Sequence, residues 1–400
     1  MTEQSFAIVG GGLAAATAAE QLRTDGFSGK LHVLAAEPHL PYLRPPLTKE
    51  YLKGAEKLDS ILVKPESWYR EHNVTLETGA EVAVLGDHRV TLGNGRDIPA
   101  DRILLATGAS PRILPAPGAD LPMVHHLRTV DDSDTLRREI VDGGKRVVLI
   151  GGGWIGLEFA AVARSYDNDV TIVMLEEIPL AMAIGDELGE RFRKLHEANG
   201  VRFIVGGVQS ISQSNGVVTD AGTFAADLVV VGIGAVPNTA LAEAAGLEVD
   251  NGILVDEHLA TSAPDVFAAG DVANAFHPVL GQRLRSEHWA NAIAGGKVAA
   301  SSMLGGDAVL DEIPYFYTDQ YDLGMEYSGY GPLAKGAELL YRGDKDSGEF
   351  VVFWLSAGKV VAGMNVNVWD VNDKVQELIR SERVVDRARL ADPGIDIAGA

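Results

Sequence analysis

Residues 5–12, Ser-Phe-Ala-Ile-Val-Gly-Gly-Gly, decide the fold of the first part of this chain. They form a short apolar run that ends in three glycines, and residues 13–22 continue with an apolar face at helical spacing. A second apolar run, residues 31–35, is followed by Glu37. A strand, a glycine turn, a helix, a strand and an acid in this order are typical of a dinucleotide-binding unit.

The same pattern returns at residues 146–156, Arg-Val-Val-Leu-Ile-Gly-Gly-Gly-Trp-Ile-Gly. A helical stretch at 157–164 leads to the apolar run 170–175, and Glu176 follows. Each unit also has a similar second half, a polar hairpin and then a buried strand that ends in a Gly-X-X-Pro turn. The matching segments are residues 90–95 with 103–111, and residues 216–222 with 228–237. Two such units indicate an internal duplication and predict an α/β protein with two Rossmann-type nucleotide-binding domains.

The glycines of the first unit indicate what it binds. Gly10 and Gly12 allow a tight turn and a close approach of the backbone to a pyrophosphate. The helix beyond them offers free N–H groups and the positive end of its dipole to the phosphates. Ala15 takes the third glycine position and is small enough for close helix–strand packing, and Glu37 can accept hydrogen bonds from an adenosine ribose.

The second fingerprint is complete, with Gly151, Gly153 and Gly156. Its acidic residue stays open, because either Met174 or Glu176 ends the apolar run, depending on where the strand stops. A carboxylate there favours NADH, since it binds the ribose 2′-OH and repels a 2′-phosphate. We therefore expect NADH as the preferred donor and leave NADPH open.

Two charged residues lie inside these otherwise structural segments. Lys49 follows the segment Arg44–Thr48, and Glu158 opens the helix after the second glycine turn. A carboxylate at a buried helix start is tolerated only when it is paired or hydrogen-bonded. The residues alone leave open whether each is an ordinary surface charge.

The composition excludes several classes of function. The 400 residues include no cysteine, which removes disulfides, thiolate metal sites and dithiol mechanisms, and we predict no metal site. The formal net charge of -22 disfavours nucleic acid and anionic membranes as partners. No apolar run is long enough to span a bilayer and the start has no basic segment, so we expect a cytoplasmic protein.

Residues 42–49, Tyr-Leu-Arg-Pro-Pro-Leu-Thr-Lys, resemble the Y-x-R-P-P-L-S/T-K segment of FAD-dependent ferredoxin and rubredoxin reductases. These putidaredoxin-reductase-like enzymes belong to the glutathione-reductase structural class. Further segments that resemble the family are residues 106–112, 151–158, 266–272, 287–289 and 314–322. Disulfide reductases of the same class carry a Cys-x4-Cys helix, and this chain has none.

The resemblance implies FAD as cofactor and NADH or NADPH as electron donor. Lys49 would lie beside flavin N5, held by Glu158, and these two are the implied catalytic residues. The implied cofactor-binding residues of the first group are Gly10, Gly12, Ala15, Glu37, Arg44, Lys49, Val82, Thr107, Gly108, Arg128, Asp271 and Trp289. Those of the second group are Gly151, Gly153, Ile155, Gly156, Glu158, Glu176 and Gly234. Tyr317 and Trp289 would lie near the flavin, or else belong to the core.

The implied activity is electron transfer from NADH or NADPH through FAD to a small iron–sulfur protein. That partner would be a [2Fe–2S] ferredoxin or a rubredoxin, feeding a cytochrome P450 or a Rieske-type oxygenase. The alternatives are a quinone-, oxygen- or monodehydroascorbate-linked reductase of the same fold, an apoptosis-inducing-factor-like flavoprotein, or a non-catalytic redox-sensing module.

The motifs also imply an order of domains. FAD would bind a discontinuous domain of residues 1–115 and 238–312, with the NAD(P)H-binding domain at 116–237 inserted into it. Residues 313–400 would form an α+β C-terminal interface domain, with strands near 349–355 and 359–366. We expect a monomer or a homodimer.

Overall fold

A computed structural model describes residues 4–400, so the first three residues of the predicted FAD-binding domain lie outside the described part. The strands are β1 Ser5–Val9, β2 Lys30–Leu34, β3 Val74–Glu77, β4 Val82–Gly86, β5 Arg89–Leu92, β6 Asp97–Pro99, β7 Arg102–Leu105, β8 Ala109–Pro111, β9 Val124–His125, β10 Arg146–Ile150, β11 Asp169–Met174, β12 Arg202–Val205, β13 Val208–Ser212, β14 Gly216–Thr219, β15 Gly222–Phe224, β16 Leu228–Val231, β17 Ala235–Pro237, β18 Ile253–Val255, β19 Val266–Ala268, β20 Ala273–His277, β21 Gln282–Leu284, β22 Tyr315–Gln320, β23 Leu323–Gly329, β24 Glu338–Arg342, β25 Phe350–Ser356 and β26 Lys359–Val366. The α-helices are α1 Leu13–Thr24, α2 Glu66–Glu71, α3 Val130–Ile140, α4 Trp154–Ser165, α5 Ala181–Ile184, α6 Asp186–Ala198, α7 Ala240–Ala244, α8 Trp289–Met303, α9 Gly331–Ala334, α10 Asn372–Ser381 and α11 Arg387–Ala391.

The chain divides into two compact units. Unit 1 contains the described residues up to 43 together with Lys57–Ser110 and Ala235–Glu312, and unit 2 contains Arg44–Glu56, Pro111–Gly234 and Ile313–Ala400. From the sequence we predicted that residues 44–56 belong to the first domain and that residues 313–400 form a domain of their own. Both cluster with 111–234 because they share its core: Leu52, Phe159 and Tyr327 belong to one buried apolar cluster.

Unit 1 is built on a parallel sheet in the order β19-β7-β1-β2-β3. The central strand β1 is apolar and buried from Phe6 to Val9 and pairs with β2 and β7, so that Val9 lies opposite both Leu34 and Leu105. A continuous apolar run is what a strand buried on both faces requires. Helix α1 is rich in alanine, the best helix former, and its buried side packs against α8.

Unit 2 repeats this plan. Its parallel sheet runs in the order β12-β11-β10-β16-β9, with β10 in the place of β1, β11 in that of β2 and β16 in that of β7. Each unit also carries a three-stranded antiparallel sheet, β4-β5-β6 directly before β7 in unit 1 and β13-β14-β15 directly before β16 in unit 2. The predicted duplication is therefore present in the three central strands of each parallel sheet and in the antiparallel sheet of each unit.

The C-terminal part of unit 2 is an antiparallel sheet in the order β22-β23-β26-β25-β24, on which α10 packs. Strand β22 lies at the edge of this sheet. Its residues Thr318 and Gln320 are buried whereas Tyr317 and Asp319 are exposed, as the alternation of side chains along a strand dictates. This alternation determines which polar groups reach the interior of the unit.

Among residues 4–400, no helix is long and apolar enough to cross a membrane. Within the same described range, no group of three or more histidine, aspartate or glutamate side chains is arranged to hold a metal ion.

Candidate functional site

The first glycine turn joins β1 to α1 and has the shape of a phosphate cradle. Gly10 has φ +138°, and a Cβ atom there would lie 2.1 Å from the carbonyl oxygen of Ala106, so only glycine fits. Gly12 is the N-cap of α1, with φ −91° and ψ −173° and no side-chain cap. A Cβ atom on Gly12 would meet nothing within 4 Å, so the start of the helix faces open space. An uncapped helix N-terminus beside open space suits the pyrophosphate of FAD.

The acid of the first unit is already held in place. Glu37 lies beyond the end of β2, and its carboxylate accepts a hydrogen bond from the hydroxyl of Tyr42. The side chain of Ala35 packs beneath Gly11, where an added Cβ would be 2.4 Å away. Ala35 is therefore small enough to lie under the turn, and Glu37 lies beyond the turn.

Asn238 organises the turn that contains the predicted residues Thr107 and Gly108. Its side-chain nitrogen donates to the carbonyl oxygen of Thr107 at 2.8 Å, and its backbone N–H donates to that of Gly108 at 2.9 Å. The hydroxyl of Thr107 donates to the Asn238 carbonyl at 2.8 Å, and that of Ser110 donates to its side-chain oxygen at 2.8 Å. Sequence reasoning missed Asn238, because its partners lie about 130 residues away along the chain.

Asp271 and Trp289 lie in the second segment of unit 1. Asp271 is in the short 3-10 turn Gly270–Val272 that follows β19, and Trp289 is the first residue of α8 with 40% of its surface exposed. Between them in sequence, His288 is the N-cap of α8. Burial lowers the pKa of His288 to about 4, although the charge of Asp271 opposes the shift, so the ring is neutral at pH 7. The last predicted residue of the unit, Val82, opens β4.

The second glycine turn repeats the geometry of the first. Gly151 has φ +109°, and a Cβ there would lie 2.3 Å from the carbonyl oxygen of Gly232. Gly153 is the N-cap of α4 with φ −84° and ψ 177°, again with no side-chain cap and nothing within 4 Å of an added Cβ. Gly156 packs close to the backbone of Gly151, where an added Cβ would be 2.8 Å from the carbonyl oxygen. This turn fits a second nucleotide.

Strand β11 ends at Met174, so Met174 and not Glu176 is the last residue of the strand. Met174 is buried, and its sulfur would lie 2.6 Å from a Cβ added to Gly152. Leu175, the last residue of the predicted strand, is 75% exposed and Glu176 is also exposed. The first carboxylate after β11, that of Glu176, is therefore on the loop.

The strand registers show which residues of the two units correspond. Val9 pairs with Leu34 in unit 1, and Ile150 pairs with Val173 in unit 2. One residue further along each strand, Ala35 therefore corresponds to Met174, and by the same count Glu37 corresponds to Glu176. Two other predicted residues of this unit are Ile155, 44% exposed in the first turn of α4, and Gly234, with φ +99°.

Lys49 and Glu158 lie together in unit 2. Lys49 follows the short 3-10 turn Pro45–Thr48, and Glu158 is in the first half of α4, only 8% exposed. The Lys49 Nζ atom is 3.5 Å from Glu158 Oε1. The hydroxyl of Thr48 donates to Glu158 Oε2, and that of Thr318 donates to Oε1 at 2.6 Å. A buried carboxylate is thus provided with both an ion partner and hydrogen-bond donors.

Strand β22 completes the surroundings of the lysine. The Lys49 Nζ atom is 4.2 Å from the centre of the Tyr317 ring and 3.9 Å from Asp319 Oδ2. Burial raises the pKa of the Tyr317 hydroxyl, and the negative charges of Asp319 and Glu158 add to that rise. The ammonium group therefore lies among an aromatic face and two carboxylates.

Arg44 and Arg128, two further predicted residues, also meet in unit 2. The guanidinium of Arg44 donates to the backbone carbonyl of Arg128 at 2.6 Å. Arg128 directly precedes Thr129, the N-cap of α3, whose hydroxyl accepts from the backbone N–H of Asp132. The predicted residues thus form one group in unit 1 and one group in unit 2, and Arg44, Lys49 and Arg128 belong to the second.

A family model described as pyridine nucleotide-disulphide oxidoreductase matches residues 4–296, and a reductase C-terminal model matches residues 315–400. The chain belongs to this family. It is 36% identical over 405 residues to the ferredoxin–NAD(+) reductase component of the anthranilate 1,2-dioxygenase system of Burkholderia cepacia, covering 99% of each chain. It is 33% identical to putidaredoxin reductase of Pseudomonas putida, covering 98% of this chain and 95% of that protein.

A solved structure of the covalent putidaredoxin reductase–putidaredoxin complex is similar with a TM-score of 0.93 and 31% identity, covering 98% of this chain and 97% of the other. These findings confirm the predicted membership in the ferredoxin-reductase family. They also confirm the predicted fold class, two nucleotide-binding domains with a C-terminal domain.

Proposed function

We propose that this protein is an FAD-dependent ferredoxin reductase that passes electrons from NADH to a small iron–sulfur protein of an oxygenase system. The observation that carries the proposal is the presence of two glycine turns that fit nucleotides in a chain without cysteine. Two nucleotides can exchange electrons on such a chain, but no disulfide of its own can receive them. The electrons must therefore leave for a separate acceptor.

The relatives favour a protein acceptor. One is a component of a dioxygenase system named as a ferredoxin–NAD(+) reductase, and the solved neighbour is a covalent complex with putidaredoxin. Both are similar to this chain over nearly its whole length, including the C-terminal sheet. A small iron–sulfur protein is therefore the acceptor that we assign to this chain, with a P450 or Rieske-type oxygenase downstream.

We assign FAD to unit 1 and the nicotinamide nucleotide to unit 2. The uncapped start of α1 receives the FAD pyrophosphate, and Glu37, held by Tyr42, receives a ribose. The equivalent start of α4 receives the pyrophosphate of NADH. FAD supplies the chemistry that takes two electrons from the nicotinamide and releases them singly. We place the protein in the cytoplasm, where NADH is the common reductant.

Lys49 is the residue to which we assign the electrostatic role. A cation held near the pyrimidine ring and N5 favours the electron-rich reduced flavin. A carboxylate that holds the cation in place maintains this stabilisation. Glu158 is suited to that task, because it is buried, hydrogen-bonded and within 3.5 Å of Lys49. This chain's own residues bind, orient and insulate, and no acid–base pair is needed for electron transfer.

The test is NADH-driven cytochrome c reduction by the FAD-loaded protein, with and without a [2Fe–2S] ferredoxin, and repeated with NADPH. We expect ferredoxin to stimulate the rate by at least tenfold, with NADH the better donor. Stimulation by a quinone that equals or exceeds that by several ferredoxins would move the assignment to a quinone-linked reductase. Rapid oxygen consumption without either acceptor would indicate an oxidase.

A further inference from the structure

The orientation of Glu158 is set by hydroxyl groups and not by its ion partner. The distance from Lys49 Nζ to Glu158 Oε1 is 3.5 Å, longer than the 2.7–3.2 Å typical of an N–H···O hydrogen bond. The two threonine hydroxyls, in contrast, reach both oxygens of the carboxylate, Thr48 on Oε2 and Thr318 on Oε1. Hydrogen bonds to an ionised acceptor are stronger and more directional than those to a neutral one.

A buried row of polar side chains fixes the hydroxyl of Thr318 as a donor. The Gln320 side-chain nitrogen donates to Thr318 Oγ1 at 3.1 Å, which leaves the hydroxyl proton directed at Glu158. The orientation of the Gln320 amide is fixed in turn by His196, whose Nε2 lies 2.8 Å from Gln320 Oε1. Because the amide oxygen has no proton, His196 Nε2 must carry it.

All three donors of this row therefore point towards Glu158. His196 comes from α6 of the nucleotide-binding part of unit 2, whereas Gln320 and Thr318 come from the C-terminal sheet. His196, Gln320 and Thr318 are each no more than 1% exposed, so water does not compete with these bonds. Successive hydrogen bonds in a buried row polarise one another and strengthen the last one.

We propose that Thr318 is a positioning residue for the ion pair: its hydroxyl holds the Glu158 carboxylate in the orientation that keeps Lys49 in place. The C-terminal sheet thereby influences Lys49 through a buried side chain. This inference rests on the proposed function, in which Lys49 acts on the flavin.

Asp319 gives the reason why loss of the Thr318 hydroxyl should weaken the ion pair between Lys49 and Glu158. It offers Lys49 a second carboxylate at 3.9 Å, but its side chain is 61% exposed and is screened by water. When Glu158 is free to rotate, the lysine has an alternative partner at the surface. The Thr318 hydroxyl therefore determines whether Lys49 pairs with the buried Glu158 or with the exposed Asp319.

The test uses the full-length, FAD-loaded protein and five variants. Thr318→Val removes the hydroxyl and keeps the shape, Thr318→Ser restores a hydroxyl, and Thr48→Val removes the donor to the other oxygen. Thr219→Val is the matched control, because Thr219 is a buried threonine of the same unit whose hydroxyl donates to the Gly222 carbonyl at 2.9 Å in a hairpin. Lys49→Ala gives the size of the complete loss of the ion pair.

Two quantities are measured for each protein. The first is the rate of flavin reduction by NADH in anaerobic stopped-flow experiments, resolved into the limiting rate and the NADH dissociation constant. The second is the FAD midpoint potential by equilibration with a reference dye, which needs neither NADH nor ferredoxin. A failure of the proposed function therefore leaves the second measurement readable.

We expect Thr318→Val to lower the limiting rate about tenfold with an unchanged NADH dissociation constant. A tenfold weaker preference for the reduced flavin corresponds to a potential about 30 mV lower. Thr318→Ser should lie within about twofold of the unaltered protein, Thr219→Val should change neither quantity, and Thr48→Val should shift both in the direction of Thr318→Val.

The proposal is overturned if Thr318→Val matches the unaltered protein in both rate and potential, or if Thr318→Ser is as impaired as Thr318→Val. It is equally overturned if Thr219→Val produces the same loss, because the effect would then belong to general destabilisation. Should Thr318→Val fail to fold, the other three threonine variants are compared. The proposal then requires that Thr48→Val lowers both rate and potential while Thr318→Ser and Thr219→Val match the unaltered protein, and any other pattern overturns it.

Discussion

The two glycine turns of this molecule have nearly the same backbone but different residues beneath and beyond them. The N-cap glycines differ by less than about 10° in φ, and each unit needs a glycine with positive φ at the end of its first strand. In unit 1 the small Ala35 lies under the turn, and Glu37 is held by Tyr42. In unit 2 the larger Met174 takes the place under the turn.

This difference matches two different uses of one motif. A prearranged acid reduces the ordering that binding requires, which suits a cofactor that stays bound. An acid on an exposed loop, as Glu176 is, suits a nucleotide that must enter and leave in every cycle. Variants at matched positions of the two units test this difference.

The largest effect is expected from alanine at the two strand-end glycines. Gly10→Ala forces a Cβ to within 2.1 Å of a backbone oxygen at φ +138°, and we expect an unfolded protein or one without FAD. Gly151→Ala meets a similar clash at 2.3 Å, but we expect a protein that keeps FAD and loses reduction by NADH. The FAD-to-protein absorbance ratio and stopped-flow reduction measure the two outcomes. Loss of FAD from Gly151→Ala alone would reverse our assignment of the nucleotides.

An effect of intermediate size is expected from two histidines, one in each unit, whose pKa lies well below the usual value. Burial lowers the pKa of His196 in unit 2 and of His288 in unit 1 to about 4, below the value of about 6.5 in an unfolded chain. Between these values only the unfolded state binds the proton, so stability is complete above pH 6.5 and falls as the pH drops towards 4. At pH 5 each histidine should account for a loss of about 2 kcal/mol.

Urea unfolding at pH 7.5 and pH 5.0 measures this loss. His196→Gln and His288→Gln should each show a smaller difference between the two pH values than the unaltered protein. His72→Gln, a change at an exposed histidine, serves as control and should leave the difference unchanged. An unchanged pH difference in both buried variants would show that neither ring resists protonation.

The smallest effect is expected at the acids of the two units. Glu176→Gln should reduce the preference for NADH over NADPH about tenfold in kcat/KM, about 1.4 kcal/mol, because the repulsion of a 2′-phosphate is lost. The matched change in unit 1, Glu37→Gln, should leave that ratio unchanged and instead weaken retention of FAD. A ratio that Glu37→Gln shifts and Glu176→Gln does not would contradict the correspondence of the units.

The sequence predicted the repeated parts of the fold well, since glycine turns and continuous apolar runs are local signals. The strands before both turns begin and end at the predicted residues. The apolar run of 170–175 overshot by one residue, because Leu175 is apolar but exposed, and the residue type alone does not report burial. The grouping of 44–56 with the C-terminal sheet depends on tertiary packing that no local pattern reports.

The candidate site could be predicted only in part, because its supporting residues act over long separations. Lys49 and Glu158 were suggested by the family resemblance, and the structure places them 3.5 Å apart. Thr318 lies 160 residues from Glu158, and Asn238 lies 131 residues from Thr107. No local signal marked Thr318, because β22 reads Tyr-Phe-Tyr-Thr-Asp-Gln, and the buried Thr318 and Gln320 flank the equally polar but exposed Asp319.

In the function that we propose, the electrons taken from NADH pass to an iron–sulfur protein. The most direct measurement is anaerobic reoxidation of the NADH-reduced protein, followed at the flavin absorbance after mixing with a [2Fe–2S] ferredoxin, a quinone or dissolved oxygen. We expect ferredoxin to reoxidise the flavin at least tenfold faster than either small acceptor at equal concentration. Reoxidation by quinone or oxygen that matches or exceeds every ferredoxin tried would contradict the proposed function.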